Sequence, residues 1–115
     1  MSRASSVQLS RQLVLEEPMR VADGLGGFTQ EWQPLGTHWA QVTARTGRES
    51  GIAGGVTSRM GYKIVVRAAP WGAAKRPRPD QRFREGARVF RILAVTEHDA
   101  GGLYLACTAQ EEVVA

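Results

Sequence analysis

Apolar and polar residues alternate along most of this chain at the two-residue period of half-buried strands. Between Arg11 and Val21, Leu13, Leu15, Met19 and Val21 share one parity. Glu17 falls out of that pattern, and Pro18 demands an edge or a bulge. Asp23-Gly24-Leu25-Gly26-Gly27 reads as a tight reversal, because glycine supplies positive φ without steric cost. The return starts at Phe28 to Gln33, and a second strand is predicted over His38 to Arg45, with Ala40, Val42 and Ala44 on one face. Arg59 to Ala68 predict a third strand, where Tyr62, Ile64 and Val66 alternate with Lys63, Val65 and Arg67. Gln81 to Gly86 suggest a short strand ending in a turn. Arg88 to Glu97 predict a strong one, with Phe90, Ile92, Ala94 and Thr96 on one face. After the turn Asp99-Ala100-Gly101-Gly102, Leu103 to Ala109 close the sheet.

Short strands separated by turn signals point to an all-β fold, a small antiparallel β-barrel or sandwich of about six strands. Parity places Leu13, Leu15, Val42, Ile64, Val66, Phe90, Ile92 and Leu105 in one core. Trp39, inside a strand, is expected in that core as well, whereas Trp32 and Trp71 lie near strand ends. No helix is predicted, although a turn or two would fit residues 47–58 or 69–76. The chain has 115 residues, enough for one domain with a real core. The expected organisation is a loose polar arm over residues 1–10, a single β-domain over 11–110 and a short acidic tail over 111–115.

Two segments do not fit a minimal barrel. The first is residues 47–58, about a dozen between two strong strands, where hairpin loops usually need roughly 2–5. Gly47, Arg48, Gly51, Ile52, Gly54, Gly55 and Val56 are its candidate functional residues, as a loop that reaches a channel or a neighbouring subunit. The second is the polar, Pro-broken stretch from Ala73 to Asp80, read as an exposed connection. Lys75, Arg76, Arg78, Arg82 and Arg84 make the region a candidate basic contact surface, and Arg88 and Arg91 continue the run. Past Arg91 there is no Lys or Arg, while Glu97, Asp99, Glu111 and Glu112 follow. A basic middle and an acidic end, within a net charge of +4, suit nucleic acid or a head-to-tail contact between copies.

No catalytic set emerges. His38 and His98 are the only histidines and Cys107 the only cysteine, so a zinc site lacks its ligands. Cys107 lies in an apolar run and reads as a packed thiol. Glu16 and Glu17 are adjacent on a strand and point to opposite faces, so they do not form a carboxylate pair. Neither glycine cluster matches a phosphate-binding loop. The expectation is a non-enzymatic protein without cofactor or metal, soluble and made in a reducing cytoplasm. The beginning of the chain has no signal-peptide core, and no stretch approaches the roughly 20 apolar residues of a membrane helix.

The order of motifs is distinctive. A first strand is followed by Gly26-Gly27, Trp32 and His38-Trp39-Ala40-Gln41-Val42. Then come a long loop, Tyr62-Lys63-Ile64-Val65-Val66-Arg67, a basic Pro-rich connection, Arg88-Val89-Phe90-Arg91-Ile92 and a closing strand. Over about residues 10–110 this resembles the head-tail adaptor or head-closure family (stopper-type, head-tail joining proteins) of tailed bacteriophages and phage-derived particles. The resemblance implies a small β-barrel in a homo-oligomeric ring below the portal. That ring would close the DNA channel and offer a platform for the tail, with the portal or adaptor on one side and a tail-terminator protein on the other. It also implies that residues 47–58 reach into the channel or toward the next subunit, with possible non-specific DNA contact and no membrane role. Such a protein would be made in a bacterial cytoplasm and reside at the head–tail junction of a virus or gene-transfer particle. Two alternatives stay open: a small monomeric nucleic-acid-binding β-barrel using its basic stretch and tryptophans, or a tail-terminator or tail-completion protein of the same particle.

Overall fold

A computed structural model describes residues 6–45 and 60–112. Six antiparallel strands form one sheet: β1 (Arg11–Ala22), β2 (Phe28–Arg45), β3 (Gly61–Arg67), β4 (Arg82–Glu85), β5 (Arg88–Glu97) and β6 (Tyr104–Glu112). Their order is β1-β2-β3-β6-β5-β4, and β4 returns to β1, so the sheet closes into a barrel. The closing seam is short: Val14 faces Arg84, Leu15 faces Phe83 and Glu16 faces Arg82.

Alternation fills the barrel as the sequence pattern requires. Leu13, Leu15, Ile64, Val66, Phe83, Phe90, Ile92, Leu105 and Cys107 pack in one buried cluster. Burial pushes the Cys107 thiol up to about 12, because the apolar interior disfavours the charged thiolate. Val42 packs against this cluster while remaining partly exposed. Val65, of opposite parity to Ile64 and Val66, is buried too.

Several boundaries and faces differ from the expected ones, each for a local reason. The two segments 28–33 and 38–45 are one continuous strand, β2. Its extra length is absorbed by a bulge: Leu15 faces Gly36 and Glu16 faces Pro34, which leaves Leu35 without a partner. Gly36 has φ +146°, and a Cβ there would meet the Lys75 stem at 2.9 Å. Trp39 is not in the core. It is 54% exposed, because the inward parity of β2 belongs to His38 and Ala40. A second shift, between Ile92 and Ala94 of β5, flips the parity of that strand. Val95 therefore packs against the core in place of the expected Ala94 and Thr96, which are exposed. Glu111 and Glu112 belong to β6, facing Phe90 and Val89.

The outer halves of β1 and β2 extend past the barrel as a two-stranded arm. It runs from Glu17 opposite Gln33 to Ala22 opposite Phe28. Asp23 organises its tip: one carboxylate oxygen accepts from Leu25 N at 2.7 Å and Gly27 N at 3.0 Å. Gly24 and Gly26 take φ near +82° and +90° there. The arm contributes to an elongated envelope of 62 × 39 × 23 Å.

Candidate functional surface

Residues 47–58 lie outside the described residues, and Gly47, Arg48, Gly51, Ile52, Gly54, Gly55 and Val56 with them. The ends that carry the segment are described. Arg45 closes β2 opposite Gly61, which opens β3, so these two strand ends lie side by side.

The basic stretch separates into two parts with different surroundings. Arg82 and Arg84, two residues apart on β4, share the outer face of the sheet. Both reach Glu16 on the neighbouring strand: Arg82 Nε donates to one carboxylate oxygen at 2.7 Å, Arg84 Nε to the other at 2.8 Å. Glu16 is only 4% exposed. Burial alone would raise its pKa, but the two guanidinium hydrogen bonds and charges outweigh that and hold it below the ordinary value. Arg82 also lies over the Trp32 ring, 4.0 Å from its centroid. Downstream, Arg88 pairs with Glu111 and hydrogen-bonds Tyr62, and Arg91 approaches Asp80 and Glu112. The acidic end of the chain thus already meets part of the basic middle within one molecule.

Lys75, Arg76 and Arg78 sit in a different place, on the connection between β3 and β4. Consecutive turns fold it: Ala73 N donates to Pro70 O, Arg76 N to Ala73 O and Gln81 N to Arg78 O. The connection is mostly exposed, as expected, but two anchors hold it. Pro77 is fully buried. His38 reaches out from β2 to the Lys75 carbonyl, with Nε2 at 2.8 Å. Burial lowers the His38 pKa, so the neutral ring, donating through Nε2–H, is the form that suits this contact. Arg76 stacks on Trp71 at 3.7 Å and donates to the Ala69 carbonyl. Arg78 is weakly engaged: its side chain is 69% exposed, with Glu17 as far as 3.9 Å away.

Between this connection and the base of the arm lies a cleft of about 550 Å³, lined among others by Glu17, Leu35, Trp71, Arg76, Pro77 and Val95. Its floor is apolar and its rim carries both signs of charge. The position of Glu17 explains its departure from the apolar parity of β1: it faces the core side just where the core ends. The cleft leaves no signal in the alternation of the chain, because its walls come from both bulges, at Leu35 and next to Val95. A readable signal did exist for the Glu16 cluster: Arg82-Phe83-Arg84 alternates charge with a buried aromatic, which implies an outer-face carboxylate partner. Among the described residues no group of three or more His, Cys, Asp or Glu side chains is placed to hold a metal ion. The described surface offers an apolar cleft, cations at its mouth and a projecting arm.

Comparison with known proteins agrees with a structural role. The model of a family described as phage head completion protein matches residues 4–112. A chain in the solved virion of a native gene transfer agent particle is 59% identical, with 94% of this chain and 98% of that chain covered and a TM-score of 0.77. Comparison with curated proteins gives no match. With nearly its whole length matched by the family model, this chain belongs to the phage head completion proteins.

Proposed function

We propose that this protein is a structural connector of a tailed phage or phage-like particle. It forms a homo-oligomeric ring below the portal, closes the DNA channel and provides the platform for tail attachment. The observation that carries this reading is the 59% identity, over nearly the full length of both chains, to a component of a gene transfer agent virion. Residues 47–58, which join β2 to β3 between Arg45 and Gly61, are the segment proposed to reach the channel or the adjacent subunit. Lys75, Arg76 and Arg78 form the accessible part of the basic surface toward a neighbouring protein or DNA phosphates.

The charge distribution favours this reading over a lone nucleic-acid-binding barrel. Arg82, Arg84, Arg88 and Arg91 are engaged by carboxylates of the same chain, which leaves no long free basic stripe for a phosphate backbone among the described residues. Trp32 and Trp71 each carry a guanidinium on the ring, which removes one stacking face.

The test is removal of the protein from a producing strain. Filled heads that lack tails or lose their DNA, and restoration by the intact gene, are expected. Deleting residues 50–56 should leave the barrel melting normally but reproduce the leak or the loss of tails. Particles that assemble and transfer DNA normally without the protein would refute the proposal.

A further inference from the structure

The two most exposed large apolar side chains of the described structure are Leu25, 89% exposed at the arm tip, and Trp71, 82% exposed beside the cleft. Isolated exposed apolar residues are ordinary, but these two sit on complementary shapes. One is a projecting knob, shaped by the Asp23 turn and flanked by Phe28, which is itself exposed under Arg20. The other borders a recess whose apolar walls include Leu35, Pro77 and Val95. The charges are complementary as well. The outer arm beyond Glu17 carries Asp23 and Glu31 against Arg20 alone, whereas at the cleft Arg76 and the weakly engaged Arg78 outnumber Glu17. Hydrogen bonds from Leu25 N and Gly27 N hold the Asp23 carboxyl below its ordinary range, so it is ionised at neutral pH.

The arm cannot fill the cleft of its own molecule. The cleft includes Glu17 at the arm's base, and the tip lies five residues farther along an extended ribbon, on the order of 20 Å away. A second copy, displaced along the arm, can present its tip there. The same displacement repeated is a heterologous contact, which closes into a ring when the rotation permits.

We propose that the β1–β2 arm of one copy docks its Leu25–Phe28 tip into the Trp71–Leu35–Val95 cleft of the next. This contact would be the repeating joint of the ring, and it rests on the ring reading proposed above.

Cysteine cross-linking in assembled particles tests it. Cys107 is buried, so the background thiol is unreactive. Particles built from full-length protein carrying both Leu25→Cys and Trp71→Cys should, on mild oxidation, give a ladder of dimers, trimers and larger multimers. Particles built from a mixture of the two single variants should stop at the dimer. The particles are imaged in parallel for a multicopy ring at the head–tail junction. A ring present without any bond between positions 25 and 71 overturns the arm contact and leaves the ring reading standing. The arm contact is likewise overturned if a thiol-anchored photo-crosslinker at position 25 captures another particle protein instead of this chain. Absence of any multicopy ring overturns the ring reading and this contact with it.

Discussion

The inner and outer halves of β1 and β2 belong to the same two strands and obey the same pairing rules, yet they live in different environments. In the inner halves, Leu13, Leu15, His38 and Ala40 are buried and every second residue faces the barrel interior. In the outer halves, no residue between Glu17 and Ala22 or between Phe28 and Pro34 is buried. The same hydrogen-bonded ladder therefore contributes to a cooperative core in one half and stands alone in the other. A two-stranded ribbon is marginal by itself. Its persistence here depends on the barrel at its base and the Asp23 turn at its tip. The contrast divides the chain into a part that determines stability and a part that is free to make contacts.

The strongest test of this division is within the barrel. Ile92→Asp places a carboxylate among Leu, Ile and Phe side chains with no partner. It should abolish cooperative melting, a loss of roughly 4 kcal/mol or more. A soluble variant with wild-type melting would break the core assignment.

The next test lies at the seam, on the outer face. Glu16→Gln keeps the shape but leaves Arg82 and Arg84 without their shared carboxylate. A loss of about 2 kcal/mol is expected in urea unfolding, below the value for a fully buried pair because Arg84 is partly exposed. The same carboxylates set an acid limit. Glu16, Glu85 and Glu111 all titrate below their ordinary value of 4.5 in the folded protein. Their stabilisation is complete above that value and disappears as the pH falls through the folded pKa values, since the unfolded chain binds protons first. Melting temperature should therefore drop below about pH 4.5, and less steeply in Glu16→Gln. An unchanged acid slope in that variant would remove Glu16 from the account.

The smallest effect is expected from the arm. Replacing residues 20–30 by Asn-Gly, between Met19 and Glu31, should shift unfolding by less than about 1 kcal/mol. A larger loss would show that the arm shares the core's cooperativity and would erase the distinction.

Much of the barrel was legible in the chain because period-two alternation reports a one-sided environment directly. Leu13, Leu15, Ile64, Val66, Phe90, Ile92 and Leu105 all appear where parity places them. The failures cluster at two inserted residues. Leu35 and Leu93 each add one position to a strand, and every residue beyond changes face. Nothing in the apolar pattern marks a bulge, because Leu is acceptable on either face. Trp39 departs from expectation for a related reason: its size and strand membership suggest a core residue, but the parity of its neighbours His38 and Ala40 decides its face. The cleft followed the bulges out of reach. The basic stretch was visible as composition, but its division into a self-neutralised part on β4 and β5 and an accessible part at Lys75, Arg76 and Arg78 depended on which strands become neighbours.

The seam between β1 and β4 also sets an order of events during synthesis. Glu16 bonds to residues 66 and 68 positions further along the chain. The first hairpin leaves the ribosome long before its closing partner exists, so the inner edge of β1 waits with unpaired backbone groups. Such an edge invites pairing with another nascent chain. An ionised Glu16 on the outer face beside that edge, followed at once by Glu17 and Pro18, disfavours a strand that arrives too early. When Arg82 and Arg84 finally emerge, the same carboxylate becomes the clasp that receives them.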